Sequence, residues 1–140
     1  MRSFRWLSLA ALLAPFQAFA QTTVTCPQLP ADGGLRWETS EGPDFLYCKA
    51  VRDADGEQAF GVMLRQKSPF RTYRARRTEE AIIGGREVHW YRGNVSSQPD
   101  AIVRETLVEL DNGFTAHIML RADSEEERAE KQRLVERLQF

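Results

Sequence analysis

The chain is short of the residues that most often carry chemistry. Its 140 positions hold two histidines, two cysteines and three lysines. There is no Gly-x-Ser-x-Gly, no His-Glu-x-x-His and no glycine loop of the phosphate-cradling kind, so the common hydrolase, zinc-peptidase and nucleotide-binding signatures are absent. No Cys-x-x-Cys occurs either, which removes the usual redox and zinc spacing. No uninterrupted apolar run is long enough to span a bilayer. No catalytic, cofactor-binding or metal-binding residue is therefore assigned, and no cofactor is expected.

What the first residues do carry is an export signal. Arg2 and Arg5 make a positive start, Trp6 to Phe16 is a mostly apolar core, and Ala18-Phe19-Ala20 is a small-x-small cleavage site. Residues 1–20 read as a signal peptide cleaved at about Ala20, which sends the protein to the periplasm or the medium. Cys26 lies too far past the cleavage site to serve as a lipoprotein anchor. Residues 21–140 read as one α+β domain of 120 residues. Such a length buries roughly two-thirds of its unfolded surface. Without Arg2 and Arg5, 17 bases face 20 acids. That balance argues against a general polyanion binder, so nucleic acid is not an expected partner. Both cysteines fall in the exported part, and an even count there predicts a Cys26–Cys48 disulfide.

The strongest structural signal lies between Ala101 and Arg121. Two β-rich runs flank Asp111-Asn112-Gly113. A two-residue loop at Asn112-Gly113 would mix polar and apolar groups on both faces of the hairpin. A three-residue loop, a type I turn with Gly113 left-handed, instead gathers Thr106, Val108 and Leu110 beside Phe114, Ala116, Ile118 and Leu120. That register makes one face apolar and is the one predicted. Phe45 to Val51 and Gln58 to Arg65 read as another strand pair, and Glu79 to Ile83 with Arg86 to Tyr91 as a third around Gly84-Gly85. The Asp53-Ala54-Asp55-Gly56 link lacks the further ligands of a calcium loop and reads as a turn. Residues 21–44 read as an extended arm with a short strand around Leu35–Thr39. A closing helix starts at Ser124, capped with Glu127, its first turns solvated and its later apolar positions Leu134, Val135 and Leu138 docked on the 101–121 hairpin.

The expected architecture is thus α+β: an antiparallel sheet of five or six strands from successive hairpins, with one C-terminal helix on a face. That order resembles the PsbP-like sandwiches of small exported bacterial proteins. The resemblance is one of topology without a motif, so it carries no residue roles.

Two clusters invite a functional reading. In the predicted register His117 faces Leu107 with Glu105 and Glu109 on the diagonals, and His89 could complete a metal site. A half-exposed strand histidine is the simpler account. The paired acids Glu105 and Glu109 share a face, as solvated pairs commonly do. The sharper feature runs from Arg65 to Arg77, with six bases, no acid and two aromatics. Arg65, Lys67, Phe70, Arg71, Tyr73, Arg74, Arg76 and Arg77 together could grip an anionic partner, either another protein or an anionic envelope component. The competing account pairs these arginines with the helix acids between Asp123 and Glu130. The function expected is that of a small exported non-catalytic binding protein, of the inhibitor or immunity type. A carrier of a small or lipidic ligand, or an enzyme with an unrecognised site, is the alternative.

Overall fold

A computed structural model of the chain describes residues 23–140. The signal peptide expected at residues 1–20 lies outside the described residues. Seven strands form one antiparallel sheet: β1 (Leu35–Glu41), β2 (Leu46–Arg52), β3 (Gln58–Arg65), β4 (Arg77–Ile83), β5 (Arg86–Arg92), β6 (Ile102–Glu109) and β7 (Thr115–Ala122). Helix α1 (Glu125–Glu136) closes the chain. The spatial order is β1-β2-β3-β7-β6-β5-β4. The sheet therefore has seven strands rather than five or six. The arm contributes a full edge strand, Leu35–Glu41, paired along its whole length with β2.

The central hairpin folds in the three-residue register. Val108 pairs with Ala116, Thr106 with Ile118 and Leu107 with His117. The Leu110 carbonyl accepts from the Gly113 amide, and Gly113 holds a φ of 82°. A branched side chain resists that left-handed backbone, which is why the turn takes glycine. The register puts Thr106, Val108, Ala116, Ile118 and Leu120 on one face, where all are buried. Cys48, Ala50, Phe60, Val62 and Leu64 extend the same face across β2 and β3, and Trp90 and Ile83 extend it across β5 and β4. Burial of this apolar face is the main stabilising term, at about 25 cal/mol per Å² removed from water.

α1 covers that face. Ser124 caps the helix by accepting from the Glu127 amide, and the Glu127 carboxylate reaches back to the Asp123 amide. Val135 and Leu138 are buried in the core, as expected. The first turn is solvated, as expected, with Glu125 and Glu126 exposed, but burial begins ahead of the apolar stripe. Lys131 and Gln132 are buried. Lys131 Nζ donates to the Arg121 carbonyl at 2.7 Å and pairs with Glu127 at 2.7 Å. Long polar side chains thus do the covering that the narrow apolar stripe cannot. The helix also packs beyond the 101–121 hairpin, on β3 and β4.

On the arm side, Cys26 and Cys48 are disulfide-bonded, with Cα atoms 5.9 Å apart. Trp37 donates to the Pro27 carbonyl and sets its ring edge-on to Phe60. Gln28 and Gln139 exchange backbone hydrogen bonds, so the arm and the chain end are tied together.

Candidate binding strap on the open face

Among the described residues no helix covers the sheet's second face. Tyr47, Met63, Glu105, His117 and Met119 point to it, because they alternate with the buried residues of the same strands. β3 and β4 are consecutive in sequence but lie three strands apart, with β7, β6 and β5 between them. The connection between them, residues 66–76, must therefore cross the sheet. It does so over the open face, and Phe70 fixes the crossing. Its ring stacks on His117 of β7, with centroids 4.4 Å apart and planes 12° from parallel. It also meets Tyr91 of β5 edge-on at 6.2 Å.

His117 is itself held. Its Nε2 lies 3.1 Å from a Glu105 carboxylate oxygen, and both side chains are about one-fifth exposed. The two residues belong to neighbouring strands, one diagonal apart, as the predicted register requires. Phe70 thus lands on an imidazole that the Glu105 carboxylate orients. Beyond it the strap tightens into a single 3-10 turn, Arg74–Arg76, whose Ala75 carbonyl accepts from Arg92. Arg77 then opens β4.

Lys67, Arg71, Tyr73, Arg74, Arg76 and Arg77 are all exposed. Among the described residues none of the five cations in that set joins an ion pair. Arg76 rests on the Tyr73 ring at 5.8 Å. Of the helix acids, Glu125 holds Arg128 and Glu127 holds Lys131, while Glu126 and Glu130 are exposed and reach none of the strap's cations among the described residues. Glu79, on β4, accepts from Arg104 and pairs with Arg128. Burial works to raise the Glu79 carboxyl, but hydrogen bonding, with Arg104 Nε reaching both carboxylate oxygens, outweighs it and leaves it below the usual glutamate range. The pairing of strap arginines with helix acids, the competing account of this segment, is therefore not how the chain is built.

Two residues of the segment take roles that composition alone did not separate from the rest. Phe70 faces the sheet and serves as the anchor. Arg65 stays in β3, over the Phe45 ring at 5.3 Å. The remaining six present themselves to solvent.

The histidine and carboxylate candidates separate. His89 pairs with Glu80 at 3.3 Å near the β4 edge, while His117 pairs with Glu105, and β6 runs between the two histidines. Glu109 is exposed at the far end of β6, with Leu107 between it and Glu105. Among the described residues no three metal-ligating side chains gather. The Asp53–Gly56 link is a turn, with Arg52 held by Asp55 and Gly56 donating to the Arg52 carbonyl. Among the described residues no helix is long and apolar enough to cross a membrane. No family model, no curated protein and no solved structure matches the chain.

Proposed function

We propose that the protein is a non-catalytic binding module that works outside the cytoplasm and holds an acidic protein partner on the strap. The observation that carries this reading is a combination: the strap is pinned to the sheet by Phe70, yet its five exposed cations pair with no acid among the described residues. A pinned backbone lowers the ordering cost of binding, and unpaired arginines offer bidentate donors to carboxylates. The exported setting rests on the signal-like leader and is supported by the Cys26–Cys48 disulfide, a bond that persists in oxidising compartments. An inhibitor or immunity-type role is the form of binding that suits a small chain without a catalytic signature.

Charge-driven capture raises the association rate and weakens with ionic strength, since exposed charges are screened beyond about 8–10 Å at ordinary salt. The test replaces Arg71, Arg74, Arg76 and Arg77 by Ser and compares capture from envelope extract across a salt series. A partner held by the native protein, released by salt and lost by the variant at unchanged melting temperature supports the reading. A partner captured equally by both proteins refutes it.

A further inference from the structure

Apart from the strap's exposed arginines, one end of the sheet carries a groove of about 710 Å³. Four segments wall it: Val24 of the arm, the β1–β2 turn from Glu41 to Leu46, Phe114 of the β6–β7 turn, and the root of the strap from Arg65 to Lys67. Val24, Leu46 and Phe114 give it an apolar surface. Arg65 gives it a fixed cation. The guanidinium lies over the Phe45 ring, and that ring abuts Gly42 so closely that a Cβ there would stand 2.1 Å from it. Phe45 thus packs flush on the Gly42 backbone and carries the Arg65 guanidinium on its ring.

The seat lacks an acceptor. Arg65 Nε is buried and makes no hydrogen bond. Nor does any carboxylate pair with Arg65 or Lys67 among the described residues. A buried donor without a partner costs free energy that an arriving acceptor recovers, and a planar guanidinium suits a carboxylate best. On another wall of the groove, Glu41 and Asp44 are exposed acids, also outside any ion pair.

We infer that this groove binds a small zwitterion with an apolar body, a free amino acid or short peptide. Its carboxylate sits on Arg65 and Lys67, its side chain lies against Val24, Leu46 and Phe114, and its ammonium faces Glu41 and Asp44. The site shares Lys67 with the strap but uses none of the strap's four arginines, Arg71, Arg74, Arg76 and Arg77. It makes the protein a small-ligand binder as well as a protein binder.

The experiment titrates the isotope-labelled protein with the dipeptide Ala-Phe and follows the backbone amide resonances. The amides of Phe45, Arg65, Gln66, Lys67 and Phe114 should move together and saturate. N-acetyl-phenylalanine amide, which carries neither charge, should leave them still. Arg65→Gln should weaken the dipeptide by about tenfold or more, the order expected for one lost charge-assisted pair. Gly42→Ala, which displaces Phe45 without touching a charge, should weaken it as well. The variant lacking Arg71, Arg74, Arg76 and Arg77 should bind it as the native protein does. No movement at millimolar dipeptide, equal binding of the uncharged analogue, native affinity in Arg65→Gln, or loss of binding in the strap variant would each overturn the inference.

Discussion

Replacing Phe70 by Ala removes the one ring that pins the strap, and the structure sets the size of the effect. The stacked pair with His117 and the edge-on pair with Tyr91 are each worth about 0.5–1.5 kcal/mol beyond simple burial. Phe70 is only half-buried, so the cost falls short of the roughly 3–5 kcal/mol of a core Phe→Ala. About 2 kcal/mol is the expected loss. It should appear as local opening, because none of residues 66–76 is buried or belongs to the core cluster. Hydrogen exchange is the assay, read at Arg76, whose amide donates to the Tyr73 carbonyl inside the strap. A loss of about 2 kcal/mol should speed exchange there by roughly 30-fold, while amides of β6 and β7 keep native rates. Phe70→Leu, which keeps much of the area but not the stack, should fall between. If exchange at Arg76 were unchanged in Phe70→Ala, the strap would be held by something else and the pinned-backbone argument would fail. If β6 and β7 lost protection too, Phe70 would belong to the global core.

Three further outcomes follow from the framework. Thiol titration of the exported, denatured and unreduced protein should find no free thiol, and the Cys26→Ser/Cys48→Ser pair should cost about 3 kcal/mol in urea unfolding for a sequence separation of 22. Gly113→Val should destabilise by about 1–3 kcal/mol through its left-handed backbone alone, since a Cβ there meets nothing within 4 Å, and Gly113→Asn should be milder in a thermal melt. Glu127, lowered first by the Lys131 hydrogen bond and then by the Asp123 amide, takes up its proton in the unfolded chain before it does in the folded one. Its stabilisation is full above the ordinary value of 4.5 and is lost as pH falls through the folded value, so Glu127→Gln should flatten the fall in urea midpoint below pH 4.5.

The sequence disclosed the local pairings because turn chemistry is local. Asp111-Asn112-Gly113, Gly84-Gly85 and Asp55-Gly56 each placed a hairpin, and the demand for one apolar face chose the register at 101–121. The Glu105–His117 diagonal follows from that register. The capping box at Ser124 was equally plain. The order of the hairpins in the sheet was not, because β3 beside β7 is a long-range pairing that no turn residue marks. The arm was under-read for a related reason. Leu35 and Trp37 are the only large apolar positions of β1, and the strand is held along the rest of its length mainly by backbone pairing to β2. The role of Phe70 was hidden as well. An aromatic among arginines looks the same whether it meets a partner or its own sheet, and the His117 that receives it lies 47 positions away.

The topology also explains why the strap's charge stays unspent. The helix acids lie on the other side of the sheet, where Arg128 holds Glu125, and Lys131 and the Asp123 amide hold Glu127. The strap lies on the open face, with the sheet between the two. For the arginines to reach those acids, either the helix or the connection would have to change sides. Moving the connection would unstack Phe70 from His117 and leave Glu105 without its cover. Solvated cations cost little where they are. The same separation that makes the segment a poor internal salt-bridge donor keeps it available, on a fixed backbone, to an acid from outside.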